Sequence, residues 1–131
     1  ICPELEQYTR NLIKNQPNEF GKGKWTQLMD HMILKMQFEH DISIERIIES
    51  LQNIPIFQYN INLIIKLKEL NIPMAIVSDA NEFYIDILLK HLGFKDDFFK
   101  IITNYSSIND GKLRIQPYQE LNHPHMYKLS S

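Results

Sequence analysis

The segment Met74-Ala75-Ile76-Val77-Ser78-Asp79-Ala80-Asn81 constrains this chain more than any other. An apolar run stops at a small hydroxyl residue, and a helix-like pattern begins at once. In an open α/β sheet, ligands bind beyond the carboxyl ends of the strands. A helix N-terminus there offers free backbone N–H groups and the positive end of a dipole to an anion. A serine at that edge can add a hydroxyl hydrogen bond to a phosphate oxygen. The alternative for the same residues is purely local: Ser78, Asp79 or Asn81 caps the helix.

The segments on either side extend the pattern. Ile61, Ile64, Ile65, Leu67 and Leu70 suggest a helix ending before Pro73. Met74–Val77 suggests a buried strand, and residues 81–92 a helix with Ile85, Leu88, Leu89 and Leu92 inward. Gly93 suits the left-handed position just past that helix. Phe99–Thr103 reads as the next strand, and helix, strand, helix, strand implies parallel pairing with right-handed crossovers. Asn109-Asp110-Gly111 is a turn signal, with a short strand at Leu113–Gln116.

Upstream of Pro55 the period is helical. Trp25, Leu28, Met29, Met32, Ile33 and Met36 recur at three- and four-residue steps. The methionines suit core packing better than the mouth of a substrate site, because Met fills irregular cores. Ser43 is a candidate N-cap for a second helix bearing Ile44, Ile47, Ile48 and Leu51, which Asn53-Ile54-Pro55 ends. Residues 15–24 read as a loop. These features divide the chain into a helical region, 1–55, and an α/β region, 56–131.

Composition narrows the function classes. The 131 residues are 44% apolar, enough for a core. No stretch approaches the roughly 18 uninterrupted apolar residues of a membrane helix. A net charge of −2 with scattered signs gives no electrostatic case for nucleic acid or an anionic membrane surface. The single cysteine, Cys2, excludes an internal disulfide and any Cys-based zinc pattern, and favours a reducing, cytoplasmic setting. Ile1 in place of methionine leads us to expect a processed or incomplete chain.

The run Ile-Val-Ser-Asp-Ala-Asn-Glu-Phe-Tyr-Ile-Asp (76–86), then Leu92-Gly93-Phe94, Phe98, Ile101-Ile102-Thr103-Asn104, Gly111-Lys112-Leu113 and Pro117-Tyr118, resembles one family in both content and order. This is the phosphoethanolamine/phosphocholine phosphatase and pyridoxal phosphate phosphatase family of haloacid-dehalogenase-like hydrolases. The resemblance covers about residues 72–118 and weakens upstream, where Trp25 to Pro55 looks like part of the helical cap. It implies a partial Rossmann-like, parallel-sheet α/β core with a small helical cap. The implied reaction is hydrolysis of a small phosphomonoester through an aspartyl-phosphate intermediate with Mg²⁺. Ser78 would bind the phosphoryl group, with Asp79 and Asn81 at the same site edge.

Two departures limit what the resemblance carries over. The family's Asp-x-Asp motif supplies nucleophile, general acid and metal ligands, and this sequence contains no Asp-x-Asp. We therefore expect no catalytic residue and no metal ligand here, only a fragment with negligible activity of its own. After Tyr118 the relatives usually carry a His- and Cys-containing stretch ending in a phosphate-binding lysine. Here Gln119–Lys128 is shorter and has no cysteine, so Lys128 is a candidate for that lysine at altered spacing. His123 and His125 are too few for tetrahedral zinc, and Asp96-Asp97 reads as solvated surface. Two other classes stay open: a truncated, non-catalytic paralogue that binds phosphate or a partner, and a structural α/β domain in which Ser78 belongs to the cap.

Overall fold

The computed structural model describes residues 3–15 and 25–118. Its elements are α1 (Pro3–Asn15), α2 (Trp25–Glu39), α3 (Ile44–Gln52), α4 (Gln58–Glu69), β1 (Ala75–Asn81), α5 (Glu82–Leu92), β2 (Lys100–Asn109) and β3 (Lys112–Gln116). Asn15, expected in a loop, ends α1, and the rest of that expected loop, residues 16–24, lies outside the described residues, as do Cys2, Lys128, His123 and His125.

The helix boundaries have local causes. Ser43 accepts a hydrogen bond from Arg46 N and so caps α3, as its position before Ile44 suggests. Asn81 Oδ1 accepts from Tyr84 N and starts α5, while Gly93 at φ 81° ends it. That backbone angle is open to glycine and strained for most other residues. Helix α1 was not expected from the sequence. Of its apolar residues Leu5 is buried, against α2.

The sheet has the order β1-β2-β3. β1 and β2 are parallel, joined by α5, in the register Ala75↔Lys100, Ile76↔Ile101 and Val77↔Ile102. β2 then runs on past the parallel ladder and turns back antiparallel on β3, from Tyr105↔Gln116 to Asn109↔Lys112. Asp110 and Gly111, both at positive φ (51° and 74°), make the two-residue turn. Two positive φ values are what a type I′ hairpin turn requires. The architecture is thus α/β, compatible with a partial Rossmann-like core carrying a group of helices.

Three apolar clusters hold it together. Leu5, Leu28, Met32, Met36, Ile47 and Leu51 join α1, α2 and α3, with Tyr84 and Ile87 of α5 packed against them. Ile33 of α2 packs on Leu113 and Ile115 of β3. Ile85, Leu89 and Phe94 form the third cluster, with Ile61 and Ile64 of α4 and Ile76, Ala80 and Ile101 of the sheet. Met32 and Met36 of α2 are therefore core, as expected, while the half-buried Met29 joins them in lining an apolar cleft against α1. Both α4 and α5 meet the sheet through the side that carries Ile76 and Ala80. On the other side Val77 is 78% exposed.

Candidate functional site

The regular β1–β2 ladder ends at Val77, and pairing resumes at Asn81↔Asn104. Ser78, Asp79 and Ala80 occupy the irregular stretch between. Ser78 is half-buried there, and its Oγ accepts from Ala80 N at 3.1 Å. A hydroxyl that accepts in this way still has one proton to donate. Among the described residues no acceptor takes it. The hydroxyl oxygen is thus held, with its proton available to donate, where the regular β1 ladder ends, one short turn before the N-terminus of α5.

The local alternative is assigned to one residue. Asn81, 2% exposed, is the cap of α5, its Oδ1 3.0 Å from Tyr84 N. Ser78 is not the cap. Asp79 is exposed and takes part in a polar or ring interaction of its own. So Ser78, Asp79 and Asn81 are brought together on one bulged segment, and they differ in what each is committed to.

Asn104 on β2 was not singled out from the sequence as a site residue. Its buried amide donates to Asp79 O and Ala80 O, both at 2.9 Å, and accepts from Tyr118 N at 3.2 Å. Tyr118 also sets its ring beside that of Tyr105, centroids 5.4 Å apart. One position before Asn104, Thr103 Oγ1 is buried with no hydrogen-bond partner among the described residues. Glu82 at the start of α5 accepts from Ser106 N at 3.0 Å, so its charge is turned towards β2.

A cleft of about 360 Å³ opens between α5 and β2, lined by Glu82, Asp86, Lys95 and Ser106 together with Phe83, Ile85 and Ile101. Ser78, Asp79 and Asn81 are not in its lining. Lys90 and Lys95 both pair with Asp86 and hold its carboxyl below the usual range. Burial pushes the Tyr84 hydroxyl up. Asp97 departs from the expectation of a solvated acidic turn. Its side chain is only 15% exposed and lies 3.0 Å from Lys68 Nζ, because the turn after Gly93 folds back towards α4. Asp96 is exposed as expected. Among the described residues no three His, Cys, Asp or Glu side chains gather to hold a metal. The described residues by themselves do not fit Mg²⁺. No described helix is long and apolar enough to cross a membrane.

A profile of the family described as "Putative Phosphatase" matches residues 6–130. The chain belongs to that family, among the haloacid-dehalogenase-like phosphatases. It is 40% identical over 95 residues to the thiamine phosphate phosphatase-like protein of Arabidopsis thaliana, covering 72% of this chain and 38% of that protein. It is 34% identical over 97 residues to inorganic pyrophosphatase 1 of the same plant, covering 73% and 32%. Pyridoxal phosphate phosphatase PHOSPHO2 of Homo sapiens is 31% identical over 106 residues, covering 77% and 43%. The chain thus spans well under half the length of these relatives. No solved structure matches it.

Proposed function

We propose that this chain is part of a phosphatase acting on small phosphomonoesters, and that Ser78 is its contact to the phosphoryl group. The observation that carries the reading is the Ser78 hydroxyl, its oxygen positioned by Ala80 N and its proton available to donate, where the regular β1 ladder ends in a chain of this family. A fixed donor needs no reorganisation when it meets an anion, which is what makes such a contact effective. Asp79 and Asn81 flank it, and Lys128 is the candidate cation to balance the phosphate. Residues 1–55 form the cap and 56–131 the core in this scheme. Nucleophile, general acid and Mg²⁺ ligands come from outside this sequence, since it has no Asp-x-Asp. The relatives' names point to phosphate monoesters such as thiamine phosphate and pyridoxal phosphate, and to pyrophosphate. Phosphoethanolamine and phosphocholine belong to the same substrate range. The single cysteine fits a cytoplasmic setting.

The lack of Asp-x-Asp also favours a second reading, a non-catalytic paralogue that keeps the phosphate-binding edge. One measurement sets a baseline and a second separates them. The 131-residue chain with Mg²⁺ should hydrolyse an aryl phosphate no faster than a heat-inactivated control under either reading. In a polypeptide that also contains an upstream Asp-x-Asp segment, turnover should appear. There Ser78→Ala should lose one charge-assisted hydrogen bond, about 1.5–3 kcal/mol, or roughly 10- to 150-fold in kcat/KM. Equal activity of Ser78→Ala and the parent would return Ser78 to a structural role.

A further inference from the structure

Between Val77 and Asn81 β1 advances four residues while its partner β2 advances two, Ile102 to Asn104. Two extra residues are therefore looped into β1 at the candidate phosphate edge, a bulge that breaks the ladder. A bulge strands backbone groups, and stranded groups inside a protein must find partners. Here the carbonyls of Asp79 and Ala80 find the two protons of the Asn104 amide, each at 2.9 Å. The other end of the same amide accepts from Tyr118 N. Asn104 is 8% exposed, and every bond it makes in this set is to backbone. Two carbonyls on one side and an N–H on the other also fix which way its amide is turned.

The residue type follows from that arrangement. An aspartate would set acceptors against two carbonyl oxygens. A glutamine would overshoot by one methylene. Serine or threonine has one donor where two are needed. Ala80 is the link to Ser78, since its carbonyl is held by Asn104 and its N–H holds Ser78 Oγ.

We propose that Asn104 is the positioning residue of the phosphate edge: it locks the β1 bulge that orients Ser78 and fastens it to the chain at Tyr118. The proposal rests on the reading of Ser78 as the phosphate contact. It predicts that binding at Ser78 and protection of the Tyr118 amide depend on one side chain. Nothing in the Ser78 reading alone requires this.

The test uses the 131-residue chain, inorganic phosphate followed by phosphorus-31 NMR, and amide hydrogen exchange at Tyr118. Ser78→Ala should lose phosphate binding and leave Tyr118 exchange unchanged. Asn104→Ala should weaken phosphate about tenfold, as expected for a misplaced donor, and speed Tyr118 exchange about tenfold. Gln37→Ala, at the far edge of the sheet, serves as the control for general softening. It should lower the melting temperature and leave phosphate affinity within about twofold, since distant sites act independently. If Asn104→Ala gives no folded protein, Asn104→Ser keeps one donor and should show a smaller loss, about threefold. The proposal is overturned if a folded Asn104 variant binds phosphate as the parent does, or if Gln37→Ala weakens binding as much. Absence of phosphate binding by the parent, or equal binding by Ser78→Ala, overturns the Ser78 reading and the proposal with it. In that case Tyr118 exchange still reports whether the clamp exists.

Discussion

The two edges of the sheet are built in opposite ways. The outer edge of β3 is closed by side chains of α2. Gln37, 1% exposed, donates to Leu113 O at 3.0 Å and accepts from Leu113 N at 2.8 Å. Asp30 accepts from Ile115 N at 2.9 Å and grips the Arg114 guanidinium through both oxygens. In effect a helix supplies the missing strand with two side chains. The edge of β1 has no such cover among the described residues, and Val77 beside it is 78% exposed, with Phe99 at 71%. An edge strand with free backbone groups and apolar side chains invites pairing with another chain. Parallel strands normally lie buried on both faces. The bare side of β1 is thus unlike a finished surface, whereas the β3 side is finished in detail. The difference fits a chain that spans well under half of its relatives' length.

The largest effect should come from the finished edge. Gln37→Ala leaves the buried N–H and C=O of Leu113 without partners, and each such group costs about 1–3 kcal/mol. A total loss of about 2–4 kcal/mol is expected in urea unfolding, a large share of the stability of a small domain. A loss below about 1 kcal/mol would mean that water reaches Leu113 and that the β3 edge is no better closed than β1.

The contrast also marks what can be read from a sequence. Helices α2 and α3, the Gly93 stop and the Asn109-Asp110-Gly111 turn are local: period, cap and turn residues lie within a few positions of one another. Parallel pairing of β1 with β2 followed from the order of elements. The place of Ser78, in a strand just before a helix, was visible because the two elements adjoin in the chain. Gln37, Asp30 and Asn104 were not visible, because their partners lie 76, 85 and about two dozen residues away. A polar residue in a helix reads as solvated until the strand it serves is known. The same cause hid the Lys68–Asp97 pair, where the sequence offered only an acidic turn. Helix α4 forms where its apolar residues suggested and ends before Pro73, yet none of its residues is fully buried, and Leu63 is 56% exposed.

Asp30 gives a middle-sized test of the same edge. Asp30→Ala removes the acceptor for Ile115 N and the partner of Arg114, and should cost about 1–2 kcal/mol. Asp30→Asn keeps an acceptor for Ile115 and loses only the charge, so it should cost less than about 1 kcal/mol. Arg114 is 44% exposed, so salt screens the pair. The gap between Asp30→Asn and the parent should therefore shrink in high salt, while that between Asp30→Ala and Asp30→Asn should not. If both gaps shrink together, the closure of β3 is mainly a surface ion pair.

Val77→Lys probes the open edge and should have the smallest effect on stability. Its side chain is mostly in water already, so little apolar burial is lost, and substitutions at such positions usually fall within about 0.5 kcal/mol. Lysine's lower strand propensity acts in the same small range at an edge. Association is where the substitution should register. The parent chain should show concentration-dependent self-association in sedimentation velocity, because no described residue covers the β1 edge and its apolar side. A lysine there brings like charges together in any symmetric contact and should shift the chain towards monomer. Combining Val77→Lys with Gln37→Ala should leave the unfolding cost of Gln37→Ala unchanged, since the two residues serve opposite edges and share no partner. A destabilisation above about 1 kcal/mol for Val77→Lys alone would show that Val77 is covered in solution. A parent chain that is monomeric at all concentrations would show that the bare edge is closed, leaving the two edges less different than their described surfaces imply.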